Sequence, residues 1–265
     1  MVKRWLGSRY FYAVAGPVAF VLLWGVLAGL NNASSDPVVP RLFVATPGEV
    51  GSKLWELSTH GSFSTNLLGA AKDTLGRLLI GFIIASGIGI PVGLAMGYFT
   101  KVYYSLEFFV DFLRSIPAAA IFPLFILIFG IGSPSIISVV VYACLLIIVV
   151  NTIYGVRNVK ELRLMSAKIM KLSKFDMFRK IILPESLAYI FAGLRIAISY
   201  GMVIVIFSEM FIGTDSGLGR RIIDAQTVYK IPDMYAAVVL TGLIGYALNK
   251  LALFAERRII HWEGK

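Results

Sequence analysis

Long apolar runs dominate the chain and are separated by short stretches that carry most of the charge. The first run extends from Tyr10 to Leu30 behind Lys3, Arg4 and Arg9. It is longer than the roughly 7–15 residues of a signal-peptide core and no AxA-type cleavage site follows, so it reads as a retained first helix. Asn31 to Asn66 is polar and broken by Pro37, Pro40 and Pro47, which predicts a loop, with Val50 to Leu57 as a short amphipathic turn. Leu67 to Phe99 exceeds one crossing, and Lys72, Asp73 and Arg77 occupy its start. The expected span is therefore 76–98, kinked at Pro91. Tyr103 to Gly130 holds Asp111 and Arg114 early and Pro117 and Pro123 later, which predicts a broken third span over 104–130. Further spans are expected at 135–154, 187–212 and 234–254, the fifth with Arg195 and Glu209 embedded. The pattern predicts an all-α polytopic membrane protein, a single transmembrane domain over 1–265 with its first span at 10–30 and six membrane-crossing helices in total.

Composition narrows the function. Apolar residues make up 58% of the chain and charged residues 15%, against roughly 45–50% and about 25% in soluble domains. A water-soluble enzyme is excluded, and six crossings leave room for loops but not for a second catalytic domain. The net charge of +10 does not indicate nucleic acid, because Lys and Arg lie between apolar runs instead of on one solvated face. They report orientation instead. Arg157, Lys160, Arg163, Lys168, Lys171, Lys174, Arg179 and Lys180 crowd the loop from Gly155 to Ser186, and both tails are basic, with Arg257, Arg258 and Lys265 at the end. The opposite loops hold only Arg41, Lys53, Arg220, Arg221 and Lys230. Short cytoplasmic loops retain positive charge, so both termini are expected in the cytoplasm.

Soluble chemistry finds no purchase. Cys144 is the only cysteine and lies in an apolar run, which leaves no disulfide or CxxC site. His60 and His261 lack ligand spacing and read as ordinary surface or interface residues. In Gly48-Glu49-Val50-Gly51-Ser52-Lys53, Ser52 separates the glycine from the lysine, so the phosphate-loop register fails.

The basic loop has more internal order than a connector needs. Glu161 to Lys171 is rich in helix formers, and Ser173 with Asp176 three residues on reads as an N-cap with an acidic first turn. The helix it opens is expected to carry Phe175, Phe178 and Ile182 on one exposed face and to end at Pro184. Such a stripe is either an interfacial helix on lipid headgroups or a docking element for a soluble partner.

Met165-Ser166-Ala167, Lys171-Leu172-Ser173 and Ile181-Ile182-Leu183-Pro184 together resemble the "EAA" loop of ATP-binding cassette importer permeases. Met165 stands where that family usually has Glu, Ser166 where it has Ala, and Lys171 where it has a turn-forming Gly. The resemblance extends from about Pro47 to Ala255 and is to the nitrate, sulfonate, taurine and bicarbonate subgroup. It rests on Arg114-Ser115-Ile116-Pro117 through Pro123-Leu124, Phe129-Gly130-Ile131-Gly132, Asn151-Thr152 with Gly155, Gly193-Leu194-Arg195, Ser208-Glu209-Met210 and Gly217-Leu218-Gly219.

It implies a type I importer permease fold with cytoplasmic coupling helices in a bacterial inner membrane. The cargo it implies is a small anion such as nitrate, sulfonate or bicarbonate. It also implies two cytoplasmic ATPase subunits that hold the ATP and Mg, a second permease copy, identical or similar, and a periplasmic or lipid-anchored solute-binding protein. No cofactor is expected in this chain. The expected ATPase-coupling residues are Met165, Ser166, Ala167, Lys171, Leu172, Ser173, Phe175, Phe178, Leu183 and Pro184.

Charges at bilayer depth need partners or water. Arg77 and Glu209, near the outer ends of the second and fifth spans, are expected to pair as a brace or a gate contact. Arg114 and Arg195 either attract an anion or snorkel to the inner headgroups. Sparse polar groups are expected along the path, with the Pro117 to Pro123 stretch, Asn151, Ser199 and Ser208 as candidates, each equally readable as helix packing. Ala85, Gly89, Gly93 and Gly97 fall four residues apart and predict a close-packed helix seam. The competing class is an ion-coupled transporter or channel complete in one chain. An intramembrane enzyme is disfavoured because no HExxH or GxSxG motif is present.

Overall fold

The computed structural model describes residues 2–34, 37–40, 43–59, 67–211 and 214–260, without the side chains of 2–11. His60, His261, Arg41, Lys265 and Ile212, the expected end of the fifth span, lie outside the described residues. The described residues form helices: α1 Val2–Ala33, α2 Pro47–Thr59, α3 Leu67–Tyr98, α4 Thr100–Ser115, α5 Ala118–Phe129, α6 Ser133–Arg157, α7 Glu161–Ile169, α8 Lys174–Met177, α9 Leu183–Phe211, α10 Leu218–Thr227 and α11 Ile231–Ile259. Five stretches are long and apolar enough to cross a bilayer: α1 from Tyr12, α3, α6, the continuous rod Lys174–Phe211, and α11. Packing groups the chain into two compact units, Met1–Ala70 with Arg221–Leu240 and Ala71–Arg220 with Thr241–Lys265.

In the first unit, part of the expected loop is helical. Thr46 and Glu49 form a capping box ahead of α2: the Thr46 N–H donates to Glu49 Oε2 (2.7 Å) and the Glu49 N–H to Thr46 Oγ1 (3.4 Å). Pro47 fills the first helical position, where its missing N–H costs nothing. The Trp24 indole N–H donates to Ala45 O (3.0 Å) and its ring stacks on Tyr235 at 6.0 Å. A small core of Ala45, Val50, Ile231 and Ala236 sits beside them.

The second unit is built around α3, α6 and α9. Leu78, Ile136, Val140, Cys144, Ile148, Ala197 and Val205 form its buried centre. The predicted seam is present: a Cβ on Gly81, Gly89, Gly93 or Gly97 would run into Val140, Ile148, Thr152 or Val156, so the glycine row of α3 meets every fourth residue of α6. The α3 backbone lies directly against α6 side chains, with no room for a side chain on the α3 row.

The third span is not a straight crossing. α4 and α5 meet at 97°, and at 1.5 Å per residue they are about 24 and 18 Å long, each short of the roughly 30 Å hydrocarbon core. Ile116 precedes a proline and is extended (φ −87, ψ 119), and Pro117 restarts the chain as the N-cap of α5. The Tyr142 hydroxyl donates to Leu113 O (2.5 Å) and braces the elbow.

Candidate functional site

Two places gather the polar residues that the apolar bundle would otherwise exclude. The first is a buried cluster around Glu209. Arg77 Nη1 donates to Glu209 Oε1 at 2.6 Å and to Ser216 O at 2.8 Å, while its Nε donates to Ser133 Oγ at 3.0 Å. The Thr74 hydroxyl donates to the same carboxylate (2.8 Å to Oε2), and the Gly219 N–H completes it (3.0 Å). Thr74 Oγ1 in turn accepts from the Leu218 N–H (2.9 Å). The two charged side chains are 9% and 0% exposed, so the pair is inside the protein and each carboxylate oxygen is satisfied by donors.

The cluster explains a glycine motif. Gly217 has φ 133, and a Cβ there would occupy the space of the Glu209 carboxylate, while one on Gly219 would overlap Ile206 O. Glycines at both positions let this loop fold over the acid and bring the Gly219 N–H of α10 to it, while the Leu218 N–H goes to Thr74 Oγ1. Thr74, Ser133 and Ser216 gave no signal in the sequence.

The second place is the basic loop. α7 ends in a Schellman motif: the Lys171 N–H donates to Lys168 O (3.0 Å) and the Leu172 N–H to Ala167 O (3.1 Å). Lys171 takes the left-handed position at φ 52. The turn that a glycine usually makes is made here by a lysine, at a cost of about 1–2 kcal/mol. Lys171→Gly is accordingly expected to raise stability by about 1 kcal/mol, measured as a higher unfolding midpoint of the detergent-purified protein. Ser173 caps the next helix, its Oγ accepting from the Asp176 N–H (3.0 Å). Hydrogen bonds from the Lys180 ammonium and the Ser173 hydroxyl hold the Asp176 carboxyl below the ordinary aspartate range.

Two expectations for this loop are corrected. Pro184 does not end the helix: the chain runs helically from Lys174 to Phe211 through a π-turn at Phe178–Ile182. The Leu183 N–H reaches back five residues to Phe178 O, and this wider turn keeps the Lys180 carbonyl clear of the proline ring. Nor are Phe175, Phe178 and Ile182 one exposed face. Phe178 packs edge-on against Tyr98 at 5.2 Å, and Ile182 is buried with Val156 and Val159. The exposed apolar surface is Leu162, Met165, Ile169, Met170 and Phe175.

Other expected site residues scatter. Arg114, Pro117 and Asn151 share a cavity of about 450 Å³ with Tyr142 and Tyr200. Arg195 and Ser199 line a second of about 460 Å³, and Arg195 pairs with Glu256 at 3.2 Å. Pro123 is exposed and lines neither cavity, and Ser208 is buried with no partner for its hydroxyl. Gly193 and Gly155 let α9 and α6 touch: a Cβ on Gly193 would lie 2.5 Å from that of Asn151, and one on Gly155 2.9 Å from Ser186 O.

Residues 87–261 match the family described as binding-protein-dependent transport system inner membrane component. The chain belongs to this family. The permease is 32% identical over 197 residues to a probable ABC transporter permease protein of Brucella abortus (strain 2308), covering 74% of this chain and 78% of that one. It is 29% identical over 253 residues to the nitrate import permease protein NrtB of Leptolyngbya laminosa, covering 93% and 87%. Its fold is similar to that of a chain in the solved structure of the MetNI methionine ABC transporter, described there as inward facing, with a TM-score of 0.64 at 19% identity over 73% of this chain and 95% of that one. It is thus an ABC importer permease subunit and a multi-pass membrane protein of type I permease fold.

Proposed function

We propose that this permease forms the translocation path for a small anion and is driven by two separate cytoplasmic ATPase subunits that hold ATP and Mg. Cargo arrives from a periplasmic or lipid-anchored solute-binding protein, and the path lies between this chain and a second permease copy in a bacterial inner membrane, both termini cytoplasmic. The nitrate import relative supports the choice of an anion. The observation that carries the coupling is the surface of α7 and α8. Leu162, Ile169, Met170 and Phe175 are 69–82% exposed beside Lys168, Lys171 and Lys174. Apolar anchors ringed by cations suit a protein groove. Phe178 and Ile182 transmit the motion, because they fasten the same segment to α3 and α6. At the opposite end of α3, the Arg77–Glu209 cluster braces the outer side.

The test separates the two aromatic residues. Phe175→Asp is expected to abolish co-purification of the ATPase while the unfolding midpoint stays within about 0.5 kcal/mol of the parent, as for a surface change. Phe178→Asp buries a carboxylate against Tyr98 and is expected to destabilise the permease itself. Full ATPase retention by Phe175→Asp would remove the docking role.

A further inference from the structure

α4 is fastened lightly to the bundle. None of its residues is buried, and Tyr104, Phe108 and Phe112, four residues apart, are 56–72% exposed. A second face, made by Tyr103, Glu107, Asp111 and Arg114, repeats at helical spacing and lines a narrow pocket of about 80 Å³ with Tyr154. Val102 and Val110 pack on Met96, Val149 and Ile153. Polar contacts hold the two ends. At the elbow the Tyr142 hydroxyl donates to Leu113 O. At the foot the Arg157 guanidinium lies 3.3 Å over the centre of the Tyr103 ring, well inside cation–π range. The Tyr103 hydroxyl donates to Glu107 Oε1 at 2.6 Å, a short charge-assisted bond that pins the ring beneath the cation.

Arg157 is the last residue of α6, and α7 begins at Glu161. The link between them is short and tied down. The Asn158 N–H donates to Tyr154 O (3.0 Å), Val159 is buried with Val156 and Ile182, and Leu164 of α7 packs on the same cluster. The end of α6 and the start of α7 are therefore one packed block, with Arg157 reaching from it to α4.

We propose that Arg157 and Tyr103 are positioning residues, the grip through which the basic loop sets the tilt of α4 and with it the elbow wall of the 450 Å³ cavity. The inference rests on the coupling reading above and adds α4 to the helices that the loop moves. Arg114, Ile116, Pro117 and Ala118 of the elbow line that cavity. Tyr103 and Arg114 are eleven residues apart, about 16 Å of helix, so a tilt of about 10° at the foot carries the elbow about 3 Å. A helix with few buried contacts yields to such a pull, where a buried one would resist it.

The experiment uses the permease purified in lipid nanodiscs with its ATPase subunits and carrying a nitroxide spin label on Ser115→Cys. Ser115 is exposed at the end of α4, and the parent, with Cys144 buried, supplies the labelling blank. Binding of a non-hydrolysable ATP analogue with Mg is expected to change the mobile fraction of the spectrum at least twofold. Arg157→Gln and Tyr103→Leu are each expected to shrink that response at least threefold, and the two together no further than either alone, since they break one contact. In Arg157→Gln the ATPase is expected to stay bound and to hydrolyse ATP, at an unmoved unfolding midpoint. Arg157→Lys keeps a cation over the ring and is expected to retain more than half of the response. A role confined to stability would lower the midpoint and leave the response intact. A parent-sized response in Arg157→Gln, additive losses in the double variant, or no response in the parent complex would each overturn the grip. Absence of the ATPase from the parent preparation would bring down the coupling reading as well, whereas a complex that assembles, turns over ATP and moves residue 115 without Arg157 refutes this inference alone.

Discussion

Replacing Glu209 by alanine is expected to cost about 3–5 kcal/mol of stability, the range for breaking a buried ion pair by removing one partner. The loss is that large because of what remains. Arg77 stays 8% exposed without its anion, and the Thr74 hydroxyl and Gly219 N–H lose their acceptor. Glu209→Gln keeps an acceptor but not the charge and should fall between parent and alanine. Arg77→Met with Glu209→Leu should cost less than the sum of the single changes, because two uncompensated groups disappear together. Exchanging the charges is not expected to rescue either single variant. The Gly219 N–H and the N-terminus of α10 face position 209 and favour an anion there, so an arginine would meet donors. The measurement is unfolding of the purified permease in mixed micelles of increasing denaturing detergent, followed by circular dichroism. A Glu209→Ala protein within about 1 kcal/mol of the parent would contradict a buried, saturated pair.

That pair was legible in the sequence because charge inside an apolar run is expensive, and two opposite charges at matching depth point to each other. Its supporting cast was not. Thr74 and Ser133 are small hydroxyl residues that cost a membrane helix little, and Ser216 is an ordinary loop serine between α9 and α10, so nothing in the pattern marks them. The Gly217-Leu218-Gly219 motif was visible, but its reason, a carboxylate beneath the loop, exists only in three dimensions. The spans were readable from run length, and the break near Pro117 from the prolines, whereas the 97° turn depends on how Tyr142 braces the elbow. The coupling stripe was misread because a period of 3.6 was extended through residues that form a π-turn. Five-residue hydrogen bonding shifts Ile182 off that period, where it is buried with Val156, and Phe178, at the start of the turn, is covered by Tyr98 of α3.

The glycine row of α3 yields two opposite outcomes from one substitution. An alanine at Gly93 places its Cβ 2.5 Å from Thr152 Cβ and 2.9 Å from Val149 O. The second contact is backbone, which cannot swing aside, so α3 and α6 must separate along the seam. Overpacking of this kind costs about 1–3 kcal/mol, and a leucine there should exceed it. Gly87 lies on the same helix, six residues earlier, with no atom within 4 Å of an added Cβ. There alanine gains only the helix preference over glycine, about 0.5–1 kcal/mol in favour of folding. The same micelle unfolding experiment reads both variants. Propensity alone would stabilise both, and loss of a generic small residue would affect both alike. Opposite signs follow only if α3 lies against α6 along the row from Gly81 to Gly97, with backbone approaching side chain and no layer of atoms between. A Gly93→Ala permease as stable as Gly87→Ala would contradict that seam, which ends one residue short of the Tyr98 ring on which Phe178 packs.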